Sequence, residues 1–103
     1  MDTQNSGSAI KPIIVIIRSG GFDVERGGSA GDTMELYGSS EKNARIDIKD
    51  QTQMLATTEA NEFGGWKVLL NDLAKGEHRF VAGAQATGIV SEEYSVNNLA
   101  PPQ

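Results

Sequence analysis

The 103 residues carry a formal net charge of −5, 12 glycines and no cysteine, and 38% of them are hydrophobic, which is enough for one domain with a single modest core. The acidic balance opposes binding to nucleic acid and to anionic membrane surfaces. The lack of cysteine excludes disulfides, thiolate chemistry and Cys-based zinc sites, and no apolar run approaches the roughly 20 residues of a membrane-crossing helix.

Residues 1–10 are polar and rich in Ser and Gly, without the basic start and apolar middle of a signal peptide, and read as a flexible segment or linker. After Pro12, the β-branched run at 13–17, Ile-Ile-Val-Ile-Ile, predicts a first strand. It is apolar on both faces. One side therefore needs extra cover, from a switch between sheets partway along or from a neighbouring repeat. Ser19-Gly20-Gly21 ends it, and residues 24–26 form a short edge segment. At 34–38, Met34, Leu36 and Gly38 share one face. At 44–49 the alternation is nearly perfect, with Ala44, Ile46 and Ile48 inward and Arg45, Asp47 and Lys49 outward. The outward charges alternate in sign, as on a solvated face with cross-strand pairing.

Residues 54–60 predict a weaker Thr/Ala strand and 61–65 a turn. Trp66, Val68 and Leu70 then share a face. Residues 71–76 form a loop with Leu73 as an inward plug, and 69–75 has helix propensity for at most one turn. His78, Phe80, Ala82 and Ala84 alternate with Arg79, Val81 and Gly83, and Tyr94 and Val96 mark the last strand. About seven short strands, separated by regular turn signals, predict an all-β, immunoglobulin-like antiparallel β-sandwich over residues 11–99. Its interior is expected to hold Ile46, Ile48, Trp66, Val68, Phe80 and Ala82. Residues 100–103, opening with Ala100-Pro101-Pro102, read as a short, stiff linker.

The order of these pieces resembles the bacterial Ig-like repeats found in tandem in large adhesins and biofilm-associated surface proteins. The matching pieces are Lys11-Pro12-Ile13-Ile14, Gly27-Gly28, the strand from Met34 to Gly38, the strand from Asn43 to Ile48, Gly64-Gly65-Trp66-Lys67-Val68-Leu69-Leu70, and Leu73 followed by Gly-x-His-x-Phe-x-Ala-x-Ala from Gly76 to Ala84. The interval from Pro12 to Pro101 corresponds to a period of roughly 90 residues, about one such domain. The resemblance implies a non-catalytic structural module that extends a stalk or serves adhesion. It implies a place outside the cell or on its surface, with the export signal elsewhere, and neighbouring repeats and a host or matrix ligand as partners. The chain departs from the pattern at Asn61-Glu62-Phe63 and Thr87-Gly88, so metal or linker roles tied to those loops do not carry over.

Read for chemistry, the residues assign no catalytic, cofactor-binding or metal site. His78 is the one histidine. Its same-face neighbours Phe80 and Ala82 place it at the core margin, with its ring nitrogens bonded to backbone, and not in a triad or a metal site. No Gly-x-Ser-x-Gly elbow is present. Gly27-Gly28-Ser29-Ala30-Gly31-Asp32 lacks the Gly-Lys-Ser/Thr ending of a phosphate loop and reads as a turn. Asp23, Glu25 and Asp32 lie near one end and Asp47, Asp50 and Glu59 near another, without an Asp-x-Asp-x-Asp calcium loop. Trp66 shares its face with Val68 and Leu70 and reads as core, which leaves Tyr37 as the better exposed aromatic. A carbohydrate- or ligand-binding sandwich attached to a secreted enzyme or adhesin is the alternative function, and clustered exposed aromatics would mark it. The charge pattern predicts a monomer.

Overall fold

In the computed structural model, which describes residues 10–99, the alternating segments become nine strands: β1 (Ile13–Ser19), β2 (Phe22–Val24), β3 (Gly28–Ala30), β4 (Met34–Ser39), β5 (Arg45–Asp50), β6 (Gln53–Glu59), β7 (Gly65–Leu70), β8 (Gly76–Ala84) and β9 (Tyr94–Asn98). One sheet has the order β2-β1-β4-β7 and the other β3-β9-β8-β5-β6. The inner faces of the two sheets form one core, the sandwich the alternation requires. Of the segments read as linkers, 1–10 and 100–103, residues 1–9 and 100–103 lie outside the described residues.

The strand count exceeds the expected seven because two three-residue strands occupy segments read as an edge and a turn. Gly20 and Gly21 take φ of 61° and 84°. That is the backbone a two-residue hairpin needs, and it folds β2 back onto β1 with Ser19 opposite Phe22. The edge segment therefore lies at Phe22–Val24 rather than at 24–26. Residues 27–32 contain β3, which runs parallel to β9 with Gly28 opposite Val96 and Ala30 opposite Asn98. The crossing between sheets thus occurs between β2 and β3, and β1 itself stays in the first sheet. Residues 69–75 form no helical turn. Leu69 and Leu70 finish β7, and Asp72 sits at φ 56° in the loop that follows.

β1 meets β4 with a register shift between Ile14 and Ile16. The bulge inserts Val15, so Ile14 and Ile17 both point inward, whereas Ile13 and Val15 remain 47% and 57% exposed. Ile46, Ile48, Phe80, Ala82 and Trp66 are buried as expected. Val68 is half-buried against the core, and Leu73 packs there as a plug. Each fully buried Ile contributes about 1.5–3 kcal/mol relative to an exposed one. Trp66 lies opposite Gly38 across the β4–β7 ladder. A Cβ on Gly38 would come within 2.1 Å of the Trp66 ring and 2.2 Å of Ile13 O, so the indole depends on the missing side chain. On one flank, Thr58 Oγ1 donates to Lys67 O at 2.9 Å, tying the edge strand β6 to β7 of the other sheet.

The chain enters and leaves at opposite ends. Ile13 stands opposite Ser39, which stands opposite Gly65, the start of β7. Asn98 stands opposite Gly76, which the chain reaches only after β7 has run its length. We refer to these as the N-terminal and C-terminal ends.

Candidate functional site

The most closely bonded polar cluster among the described residues lies at the C-terminal end, around His78. Alternation along β8 turns His78 inward with Phe80 and Ala82. The imidazole is buried and stacks on the Phe80 ring, with centroids 5.6 Å apart and planes 4° from parallel. Asp50 ends β5 directly opposite Phe80, diagonal to His78 and within reach across the ladder. Asp50 Oδ2 lies 2.6 Å from His78 Nδ1, and Oδ1 accepts the Arg79 N–H at 2.9 Å. On the other side, His78 Nε2 lies 2.6 Å from Ala74 O in the β7–β8 loop. The alternation along β8 predicts both ring nitrogens bonded to backbone. One is, and the other meets a carboxylate. The missed signal is the alternation itself: one step past Ile46 and Ile48 places Asp50 on the inward face.

Both partners of the ring are acceptors. A neutral imidazole has one N–H and satisfies one of them, and the imidazolium satisfies both. Burial pushes the His78 pKa down, but the hydrogen bonds to Ala74 O and Asp50 and the Asp50 charge outweigh it, and the net shift is upward. Among the described residues, no hydroxyl or thiol is hydrogen-bonded to the ring, so the cluster holds a proton without presenting a nucleophile.

Asn98, the last residue of β9, is 2% exposed and fastens the same loop, its Nδ2 donating to Leu73 O and Ala74 O at 2.9 Å each. The Leu73 N–H donates to Asp32 O at 3.0 Å. Near the β2–β3 turn, the Tyr94 hydroxyl donates to Val24 O, and Arg26 lies over its ring, 4.5 Å from the centroid. Burial raises the Tyr94 pKa, and the guanidinium opposes that only in part.

The remaining acidic residues scatter. Asp23 pairs with Arg18 at 3.1 Å, and Asp47 accepts from Thr57 Oγ1 and Gln85 Nε2. No group of three or more His, Cys, Asp or Glu side chains suited to a metal occurs among the described residues. In the 27–32 segment the Gly27 and Gly28 N–H groups donate to Ser95 O and Glu25 O, which uses them within the fold. Tyr37, expected to be exposed, is half-buried. It lines an open groove of about 580 Å³ with Glu59, Asn61, Lys67 and the edge of Trp66. The Trp66 Nε1–H is buried without a hydrogen-bond partner.

No protein-family model matches the sequence, and no curated protein matches it. Among solved structures, the fold is similar to the fibronectin(III)-like modules of Clostridium thermocellum CbhA, with a TM-score of 0.55 and 12% identity over 80% of this chain and 93% of that one. At that identity the likeness shows the fold: an all-β sandwich of the immunoglobulin and fibronectin(III) kind.

Proposed function

We propose that the chain is a non-catalytic Ig-like spacer module of a bacterial surface or secreted protein, working outside the cell in stalk extension or adhesion. The observation that carries this reading is the placement of Ile13 and Asn98 at opposite ends of the sandwich, which lets modules follow one another head to tail. Each end also displays an apolar aromatic to a neighbour, Phe63 at the N-terminal end and Phe22 at the C-terminal end, 88% and 76% exposed. The likeness to fibronectin(III)-like modules of a larger bacterial protein supports the same reading. The partners proposed are neighbouring Ig-like modules, and the single module is a monomer. Joining two copies of the 103-residue chain in tandem and measuring small-angle scattering tests it. An extended particle close to twice the single length is expected. A folded-back, side-by-side pair would contradict it, and sedimentation of the single chain as a stable dimer would contradict the monomer.

A second reading is favoured by the groove beside Tyr37, where a half-buried aromatic stands with Glu59, Asn61 and Lys67, a mixture suited to a sugar ring. Glycan binding that Tyr37→Ala abolishes, with the fold intact, would favour a carbohydrate-binding module over a spacer.

A further inference from the structure

We propose that His78 is held as an imidazolium that brackets the C-terminal end of the sandwich, so that protonation of the ring sets how tightly the last strand is anchored. The bracket stands on its own geometry; its consequence for a following module rests on the spacer reading.

The ring bonds two pieces of chain and shares an acceptor with a third. Nδ1 faces Asp50, at the start of the β5–β6 turn. Nε2 faces Ala74 O in the β7–β8 loop, each at 2.6 Å. The same Ala74 O accepts from Asn98 Nδ2, at the end of β9. Loss of a proton must turn one of the two ring contacts into an opposition of lone pairs. The carboxylate is the stronger acceptor, so Nδ1 keeps its hydrogen and Nε2 loses it. Ala74 O is then pushed from the ring, and the loop that Asn98 also grips loosens.

The groups facing His78 leave Asp50 as the controlling charge. β9 faces it with Val96. On β8 itself, Glu77 and Arg79 point to the other face and pair with each other at 3.4 Å, and Phe80 covers the ring. In the loop, Asp72 and Lys75 are exposed to solvent, where water screens them.

Because His78 is the one histidine of the chain, long-range ¹H–¹⁵N spectra of the 103-residue protein read its ring without ambiguity. Both nitrogens are expected to be protonated at pH 6, with a midpoint above about 6.5 and the Nδ1–H form at pH 9. Over the same titration the protection factor of the Leu73 amide, corrected for intrinsic exchange, falls at least severalfold, and those of Ile48 and Ala82 hold. Asp50→Asn lowers the midpoint by about one pH unit, a tenfold change in the proton equilibrium. A ring neutral at pH 6, an Nε2–H form at pH 9, or Leu73 protection that ignores the titration would each overturn the bracket. Failure of the bracket with the tandem protein still extended would leave the spacer reading standing.

Discussion

Asp50 stands two residues beyond Ile48 on the inward face of β5, and its Oδ2 lies 2.6 Å from Nδ1 of His78. A carboxylate in a core position is stable there because the other oxygen also takes the Arg79 N–H, so neither oxygen is buried unpaired. Asp50→Ala removes both contacts and leaves the buried imidazole without its counter-charge. The expected loss is about 2–3 kcal/mol, read from urea denaturation at pH 6. A loss under about 0.5 kcal/mol would show the pair to be incidental.

Stability is also expected to depend on pH through His78. Burial lowers its pKa, but the bonds to Ala74 and Asp50 outweigh this, so the folded chain holds the proton more tightly than the unfolded one. A group raised on folding contributes stability that is complete below its unfolded value, about 6.5, and lost as the pH rises through the folded value. Urea midpoints should therefore decline from about pH 6.5 upward. His78→Gln should flatten that decline. Keeping the scan below pH 9 leaves out Tyr94, whose neutral phenol is also favoured on folding.

Gly38→Ala is expected to destabilise by about 1–3 kcal/mol, the usual cost of overpacking. The new methyl would lie 2.1 Å from the Trp66 ring and 2.2 Å from Ile13 O. A rigid backbone oxygen cannot yield as a side-chain tip can. Thermal denaturation with Trp66 fluorescence as the probe measures both the loss and the displaced ring.

Trp66→Ala should cost about 3–5 kcal/mol, whereas Trp66→Phe should cost under about 1.5 kcal/mol. The difference follows from the buried Nε1–H, which has no hydrogen-bond partner: phenylalanine keeps much of the apolar volume and discards the unsatisfied donor. Equal losses for the two would mean that a phenyl ring cannot fill the space the indole holds.

Tyr94→Phe removes one hydrogen bond, from the phenol to Val24 O, and leaves that carbonyl unpaired by the ring. A loss of about 1–2 kcal/mol is expected from chemical denaturation. The Arg26 guanidinium keeps its aromatic face, so the loss should be nearly independent of salt.

Where a strand ran several residues with one face apolar, the period of two located it: Ile46 and Ile48 on β5, and His78, Phe80 and Ala82 on β8, are buried as read. The period places β2 two residues late and reads β3 as a turn, because three residues cannot display it and because the glycines that make a hairpin and a parallel edge look the same as those of an open turn. β1 defeated the period in another way. Its bulge at Val15 puts Ile14 and Ile17 on one face, three residues apart. The Asp50–His78 pair was legible in part. Each residue could be placed on the inward face, but nothing in a single sequence says that β5 and β8 are neighbours in that register.

The parallel ladder between β3 and β9 has a mechanical consequence. β3 follows the N-terminal hairpin, and β9 is the last strand, bonded to it from Gly28 opposite Val96 to Ala30 opposite Asn98. Tension applied between Ile10 and Leu99 acts directly on β1 and β9, and it draws β9 along its own axis past β3 and its other neighbour, β8. The ladder is loaded in shear, and its bonds must yield together rather than one after another as in unzipping. The three-residue strand that is hardest to see in the sequence is therefore one of the two that hold the last strand against a stretching force.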